Sequence, residues 1–254
     1  MSADVAATRS ARWLSLATLA GIFVLLEILI RTGLISAFVL PPPSAIVGSL
    51  YRVVVEEDLL ARFLTTVGEA LGAGVLIAAI GIPMGVWLAR SPTLRAACET
   101  WVAAMAAAPL VLAYPLFLVI FGRSSLTITM MGFAAGLAPV ILKTLEGLTA
   151  VRPVLLDVGR SHRLTRWQQF RMIEFPAATP TIFTGLRLGL IFALINVVGV
   201  EFLINFGGLG QLINELAERY DLPGTYGAIL FVVLISIVFF DLTARVERWL
   251  RPGT

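Results

Sequence analysis

Charge is scarce in this sequence. Only 14% of its 254 residues are charged while 58% are hydrophobic, and the mean hydropathy is +0.92. A water-facing domain carries roughly 25% charged residues. Lipid must therefore replace water around much of the chain, because a charge at mid-bilayer costs about 2.5–3.5 kcal/mol. The formal charge of +3 is scattered among apolar runs, which reads as membrane topology and excludes nucleic acid as a partner. Cys98 is the single cysteine, so there is no internal disulfide framework and no cysteine-based zinc site. The single histidine, His162, excludes a multi-histidine metal centre. Lysine occurs once, as Lys143 in Ile-Leu-Lys-Thr, so no Gly-Lys-Ser/Thr phosphate loop exists. Any nucleotide this protein uses must sit on another chain.

What is present is a succession of apolar runs. A helix rises 1.5 Å per residue, so about 20 apolar residues cross a 30 Å hydrocarbon core. Six runs qualify, over residues 13–30, 63–89, 101–121, 126–148, 181–204 and 226–243. They predict an all-α integral membrane protein forming one domain over residues 1–254. The first run lacks a clear small-residue cleavage site and is followed by further spans, so it reads as an uncleaved helix.

Orientation follows from the basic residues near the span ends. With the N-terminus inside, fourteen of the nineteen Lys and Arg residues fall on the cytoplasmic side, including Arg9, Arg12, Arg90, Arg95, Arg248 and Arg251. Both termini are expected in the cytoplasm. The outer loops collect acids instead, with Glu56, Glu57 and Asp58 in one and Glu215, Glu218 and Asp221 in another. The prolines Pro41, Pro42 and Pro43 stiffen an outer segment. Ser44 after them is expected to cap a short helix through Tyr51.

The longest inner segment, residues 153–176, reads PVLLDVGRSHRLTRWQQFRMIEFP. Trp167, Phe170 and Ile173 share one helical face, while Arg166, Gln169 and Glu174 point elsewhere. Pro153 suits a helix start, and Pro176 is expected to block continuation. Such an amphipathic helix must dock on lipid, on its own subunit or on a soluble partner. The Trp and Arg content favours the partner, since both are enriched at interface hot spots.

This stretch resembles the cytoplasmic coupling loop of ABC-importer permeases, in the group for nitrate, taurine and aliphatic sulfonates. Asp157-Val158-Gly159 stands at that family's Glu-Ala-Ala position, Thr165-Arg166-Trp167 at Ser-Arg-Trp, and Phe175-Pro176 at Leu-Pro. Upstream, Leu40-Pro41 through Ser44 agrees. So do Phe183-Thr184-Gly185-Leu186-Arg187-Leu188-Gly189-Leu190, Glu201-Phe202-Leu203 and Gly207-Gly208-Leu209-Gly210 downstream. The resemblance covers the chain from about residue 40 onward. One departure is Arg163, which stands where the family has a glycine between two short helices. That turn often needs a positive φ, which costs most residues about 1 kcal/mol or more. Either the turn has another geometry here or Gly159 takes part of that role.

By resemblance, this chain is a permease subunit of the bacterial inner membrane working by alternating access. Its partners would be ABC ATPase subunits, a second permease chain of the same or another kind, an extracytoplasmic substrate-binding protein and membrane lipids. ATP and Mg would sit on the ATPase, and no cofactor on this chain. Asp157, Gly159, Arg163, Thr165, Arg166, Trp167 and Phe170 would form the coupling contact. The solute would be small, with an anion such as a sulfonate, nitrate or taurine fitting the resemblance.

Within the spans, polar groups are expensive and mark partners or water-filled paths. Asn196 and Glu201 are candidates for the pathway, with helix–helix hydrogen bonding as the alternative for Asn196 and a structural partner for Glu201. The third run contains Pro109 and Pro115, which free carbonyls and bend the axis. This adds Met105 and Tyr114 to the candidate pathway. Pro176, Gly185 and Arg187 are given structural roles, Arg187 either reaching the headgroups or contacting the loop. Glu27 is expected at a subunit contact, and Asp241 beside Arg245. A secondary transporter or channel is the rival reading. It would show buried charge pairs or unwound helices at mid-bilayer. A membrane enzyme would need a cluster of catalytic side chains that the sequence lacks.

Overall fold

The structure is a computed structural model that describes residues 2–249; of these, the side chains of residues 2–13, 15, 16 and 246–249 are not described. The candidate Arg251 lies outside the described residues, and so do the side chains of Arg9, Arg12 and Arg248. Among the described residues every regular element is helical. In chain order they are α1 (Ser2–Arg31), α2 (Pro43–Glu56), α3 (Leu59–Leu76), α4 (Ile82–Arg90), α5 (Pro92–Ala107) and α6 (Tyr114–Phe121). Then come α7 (Ser125–Thr149), α8 (Pro153–Ser161), α9 (Arg166–Gln169), α10 (Phe175–Ile204), α11 (Leu209–Glu218) and α12 (Leu222–Trp249).

Among the described residues four helical stretches are long and apolar enough to cross a membrane: Leu59–Arg90, Ser125–Thr149, Arg166–Glu218 and Leu222–Arg245. The pair Pro92–Ala107 and Leu110–Phe121 meets the same test only when its two helices are taken together, and it is bent by 89° at its break. The expected third span is thus two helices. Ala108 is extended (ψ 136), the conformation favoured before a proline, and α5 ends there. The expected first span lies on α1, part of whose side chains are outside the described residues.

Two prolines in other spans do not end their helices. Pro83 and Pro176 each follow a one-turn π widening, Ile77–Gly81 and Phe170–Glu174. A proline ring clashes with the carbonyl four residues earlier, here Ala79 and Met172, and supplies no N–H. Widening the preceding turn relieves that clash and lets the axis continue. This corrects the expectation that Pro176 blocks continuation: α10 carries straight on from it.

The chain forms two compact units, Met1–Leu59 with Leu212–Val232 and Leu60–Gln211 with Val233–Thr254. In the first unit Arg52 pairs with Asp221, and Arg219 reaches Glu57 at 2.9 Å. Ser49 Oγ donates to the Pro223 carbonyl at 2.8 Å. Ser44 does not cap α2, which corrects the expectation; Pro42 is the N-cap and the helix runs to Glu56. Ser44 instead donates to Glu27 through its N–H (3.1 Å) and Oγ (2.7 Å), and Arg31 Nε reaches the same carboxylate at 2.6 Å.

The second unit is organised by α7 against α10. Glycine makes this pairing close: a Cβ on Gly136 would lie 2.4 Å from the Gly189 carbonyl, and one on Gly189 2.8 Å from that of Gly136. Backbones touch where side chains would hold them apart, as small residues permit between membrane helices. Buried Ala73, Ile77, Val140 and Ala193 close over this crossing. A second cluster of Ile128, Met131, Val197 and Val200 sits further along it.

Candidate functional site

Two places in the second unit collect the candidate residues. The first is a cavity of about 350 Å³ at the break between α5 and α6. Met105 and Asn196 both line it, with Ala108, Pro109, Phe192 and Gly199 among their neighbours. Asn196 Nδ2 donates to the Phe192 carbonyl at 3.0 Å, whereas its Oδ1 is buried without a donor. Tyr114 is not among the lining residues; it begins α6 and packs on the cluster of Ile128, Met131 and Val197.

Glu201 lies apart from that cavity. It is fully buried near the end of α10, where its carboxylate accepts from the Gly210 N–H at 2.7 Å and from Thr66 Oγ1 at 2.8 Å. Thr66 Oγ1 in turn accepts from the Leu209 N–H at 2.9 Å. Two donors at the start of α11, which no earlier carbonyl satisfies, thus end on this pair. The Gly207-Gly208-Leu209-Gly210 turn has no room for side chains at two of its glycines. A Cβ on Gly208 would lie 2.0 Å from Thr66 Oγ1, and one on Gly210 2.2 Å from the Val198 carbonyl. Arg123 braces the same corner, its Nε donating to the Ile204 carbonyl at 2.8 Å.

The second place is the loop over residues 153–176. α8 ends in a six-residue reversal. The Arg163 N–H bonds to the Arg160 carbonyl at 2.9 Å and the Leu164 N–H to that of Gly159 at 3.1 Å. Arg163 sits between them at φ 53, in the left-handed region. The reversal expected of glycine is therefore kept, with arginine bearing the strain. Gly159 takes no part in the positive φ. It is a buried residue of α8 whose missing Cβ makes room for Ile173 Cδ1, 2.8 Å from where that Cβ would be.

Thr165 then starts α9 through a reciprocal capping box with Gln168. Trp167 stacks on Phe170 at 5.7 Å between centroids, Phe170 meets Phe175 at the same separation, and Arg90 at the end of α4 lies over the Phe170 ring at 4.3 Å. Trp167 remains 61% exposed. Asp157 is exposed and pairs with Arg160 at 3.1 Å. Arg166 joins Arg90, Arg160, Gln169 and Glu174 around an open, mainly basic hollow of about 550 Å³.

Of the remaining candidates, Pro176 lies in the first turn of α10. Gly185 packs on α7, where a Cβ would lie 2.6 Å from Lys143 Cβ. Arg187 borders an apolar hollow with Leu71, Phe183 and Phe239. Arg245 pairs with Asp241 at 2.6 Å, as its spacing predicted. The sequence reading missed Thr66 and Arg90. Nothing local marks Thr66, while Arg90 is visible only as a basic residue at a helix end.

A helical, multi-pass membrane chain with a short helix pair inserted before α10 has the architecture of a transporter permease. The family model described as "Binding-protein-dependent transport system inner membrane component" matches residues 81–253. The chain belongs to that family and is an ABC-importer permease subunit. It is 28% identical to the riboflavin transport system permease protein RibX of Chloroflexus aurantiacus, over 84% of this chain and 80% of that one. It is 27% identical to the taurine transport system permease protein TauC of Escherichia coli, over 94% and 89%. With the carnitine transport permease protein OpuCD of Listeria monocytogenes the identity is 33%, over 70% and 81%. The solved MetNI methionine ABC transporter, in an inward-facing conformation, shares the fold with a TM-score of 0.67. That match covers 76% of this chain and 96% of that one, at 18% identity.

Proposed function

We propose that this chain forms half of a membrane pathway for a small organic solute, opened and closed by ATPase subunits that grip the α8–α9 loop. A second permease chain supplies the other half, and an extracytoplasmic binding protein delivers the solute. ATP and Mg reside on the ATPase. Both termini and the loop face the cytoplasm, and the cavity beside Met105 and Asn196 is this chain's share of the pathway. The observation that carries the reading is the loop itself. Its reversal at Arg163 and its capping box at Thr165 hold a preformed helix pair, clamped to α4 through Arg90 and Phe170, while Trp167 stays exposed. A rigid lever with an uncovered aromatic is what a partner needs to grip. Nucleotide on the partner drives the cycle through its differential affinity for two states of the assembly.

The test is co-purification from cells expressing this chain together with its genomic neighbours. An ATPase held by the wild-type chain and released by Arg166→Glu supports the reading. Absence of any ATPase from the wild-type preparation overturns it.

A further inference from the structure

Glu201 is not the only acid at the end of α10. Glu69 stands three residues after Thr66 on α3, on the same helical face. It is 6% exposed, and both its carboxyl oxygens are buried without a donor. The two acids converge on the glycine-rich turn. A Cβ on Gly207 would lie 3.6 Å from Glu69 Oε1 and 3.7 Å from Glu201 Cγ. Their carboxyl groups stand against each other within reach of a hydrogen bond. While both are ionised they offer acceptors only, so the contact lacks a proton.

The surroundings supply no counter-charge. Among the described residues no arginine or lysine acts on either carboxyl. Arg123 is committed to the Ile204 and Asn205 carbonyls and to the Phe206 ring. Arg62 meets the corner through its backbone carbonyl, 3.3 Å from Thr66 Oγ1. Tyr114 packs on the adjoining cluster of Ala70, Ile128 and Ile204, and Ser125 at the start of α7 faces Glu69. Two buried carboxylates in contact, with neither water nor a cation, cannot both keep their charge. A metal ion would need about six oxygens around it. Glu201 instead turns its oxygens to the Gly210 N–H and the Thr66 hydroxyl. Those two donors favour the charge on Glu201, which leaves the proton to Glu69.

We infer that Glu69 and Glu201 form one proton-binding site, in which Glu69 is a neutral carboxylic acid donating to the Glu201 carboxylate. The pair carries a single negative charge, and its proton ties α3 to the turn that opens α11. At high pH the Glu69 O–H bond breaks, its proton passing to hydroxide and its electron pair staying on Glu69. Two like charges then meet, and the corner loosens.

The experiment records infrared spectra of the full chain in dodecyl maltoside, which has no carbonyl of its own, at pH 7 in H2O and D2O. Wild type is compared with Glu69→Gln, whose amide keeps a donor for Glu201 but removes the acid. A carboxylic-acid C=O band of one group per chain, shifted by D2O and absent from Glu69→Gln, is expected. Raising the pH until that band disappears is expected to speed proteolysis between residues 204 and 212 about tenfold relative to Glu69→Gln at the same pH. Absence of the band from the wild type overturns the inference, whether or not the variant folds. So does a band that Glu69→Gln leaves in place, or cleavage that accelerates equally in both proteins. Loss of the band on adding sodium or calcium at pH 7 also overturns it, by making the site one for a metal cation.

Discussion

The guanidinium of Arg90 lies over the ring of Phe170, 4.3 Å from its centroid, and ties the last residue of α4 to the loop 80 positions later. Neighbouring rings extend the contact, since Phe170 also meets Trp167 and Phe175. The loop is thereby joined to both α4 and α10. A double-mutant cycle with Arg90→Ala and Phe170→Ala, read by thermal unfolding in detergent, is expected to give a coupling of about 0.5–1 kcal/mol. A coupling of zero would show that the two side chains are only near neighbours.

Arg163 occupies the left-handed turn at φ 53 without glycine's freedom. Arg163→Gly should therefore stabilise the chain by about 0.5–1 kcal/mol, the left-handed penalty less the added freedom of the unfolded chain. Arg163→Val, with a branched Cβ in the same turn, should destabilise it. Thermal midpoints of the three proteins give the order, and a Val variant matching the wild type would mean that the turn is not left-handed.

The Thr66–Glu201 pair predicts strong intolerance at the start of α11. Thr66→Val leaves the Leu209 N–H without its acceptor and removes one of the donors to Glu201, which keeps the Gly210 N–H, at a cost of about 1–3 kcal/mol. Gly208→Ala forces a methyl against Thr66 Oγ1 and should cost a similar amount through strain. Limited proteolysis between residues 204 and 212 should accelerate in both variants, and unchanged cleavage would argue against the hydrogen-bonded corner.

Trp167 offers a separation of folding from partner binding. It is exposed and contacts Phe170 by one ring face. Trp167→Ala should leave the thermal midpoint of the isolated chain nearly unmoved. It should weaken ATPase association by about 2 kcal/mol, roughly 30-fold, as loss of a hot-spot aromatic does. Surface-bound wild-type and variant chains titrated with ATPase provide the measurement.

The parts that follow local rules were legible. Apolar run length gave the membrane helices over 63–89, 126–148 and 181–204 to within several residues, because lipid thickness dictates helix length directly. Pro153 marked the start of α8, and the spacing of Asp241 and Arg245 gave their ion pair. The basic amphipathic loop, together with the motifs along the chain, pointed to a permease, and the family match agrees with it. Met105 and Asn196 were picked as pathway candidates from a kinked proline segment and a polar residue in an apolar run. They meet at one cavity.

Whether a proline bends, ends or merely sits in a helix was not written locally. Pro109 breaks its span by 89°, while Pro83 and Pro176 pass through, because each of those follows a π turn that moves the clashing carbonyl away. Glu201 likewise reads as an intramembrane acid near a glycine-rich turn, but its partner Thr66 stands 135 residues earlier. The sequence alone therefore determined that the chain lives in lipid, roughly which segments cross it, and that it binds no nucleotide through a phosphate loop. Those properties depend on composition and short-range spacing. Only the tertiary structure decided that Arg163 keeps glycine's turn, that Arg90 clamps the loop, and that Asn196 lines the cavity beside Met105 while Glu201 does not. Each of these depends on which distant backbone or side chain arrives at the same place, and packing, not local preference, sets that.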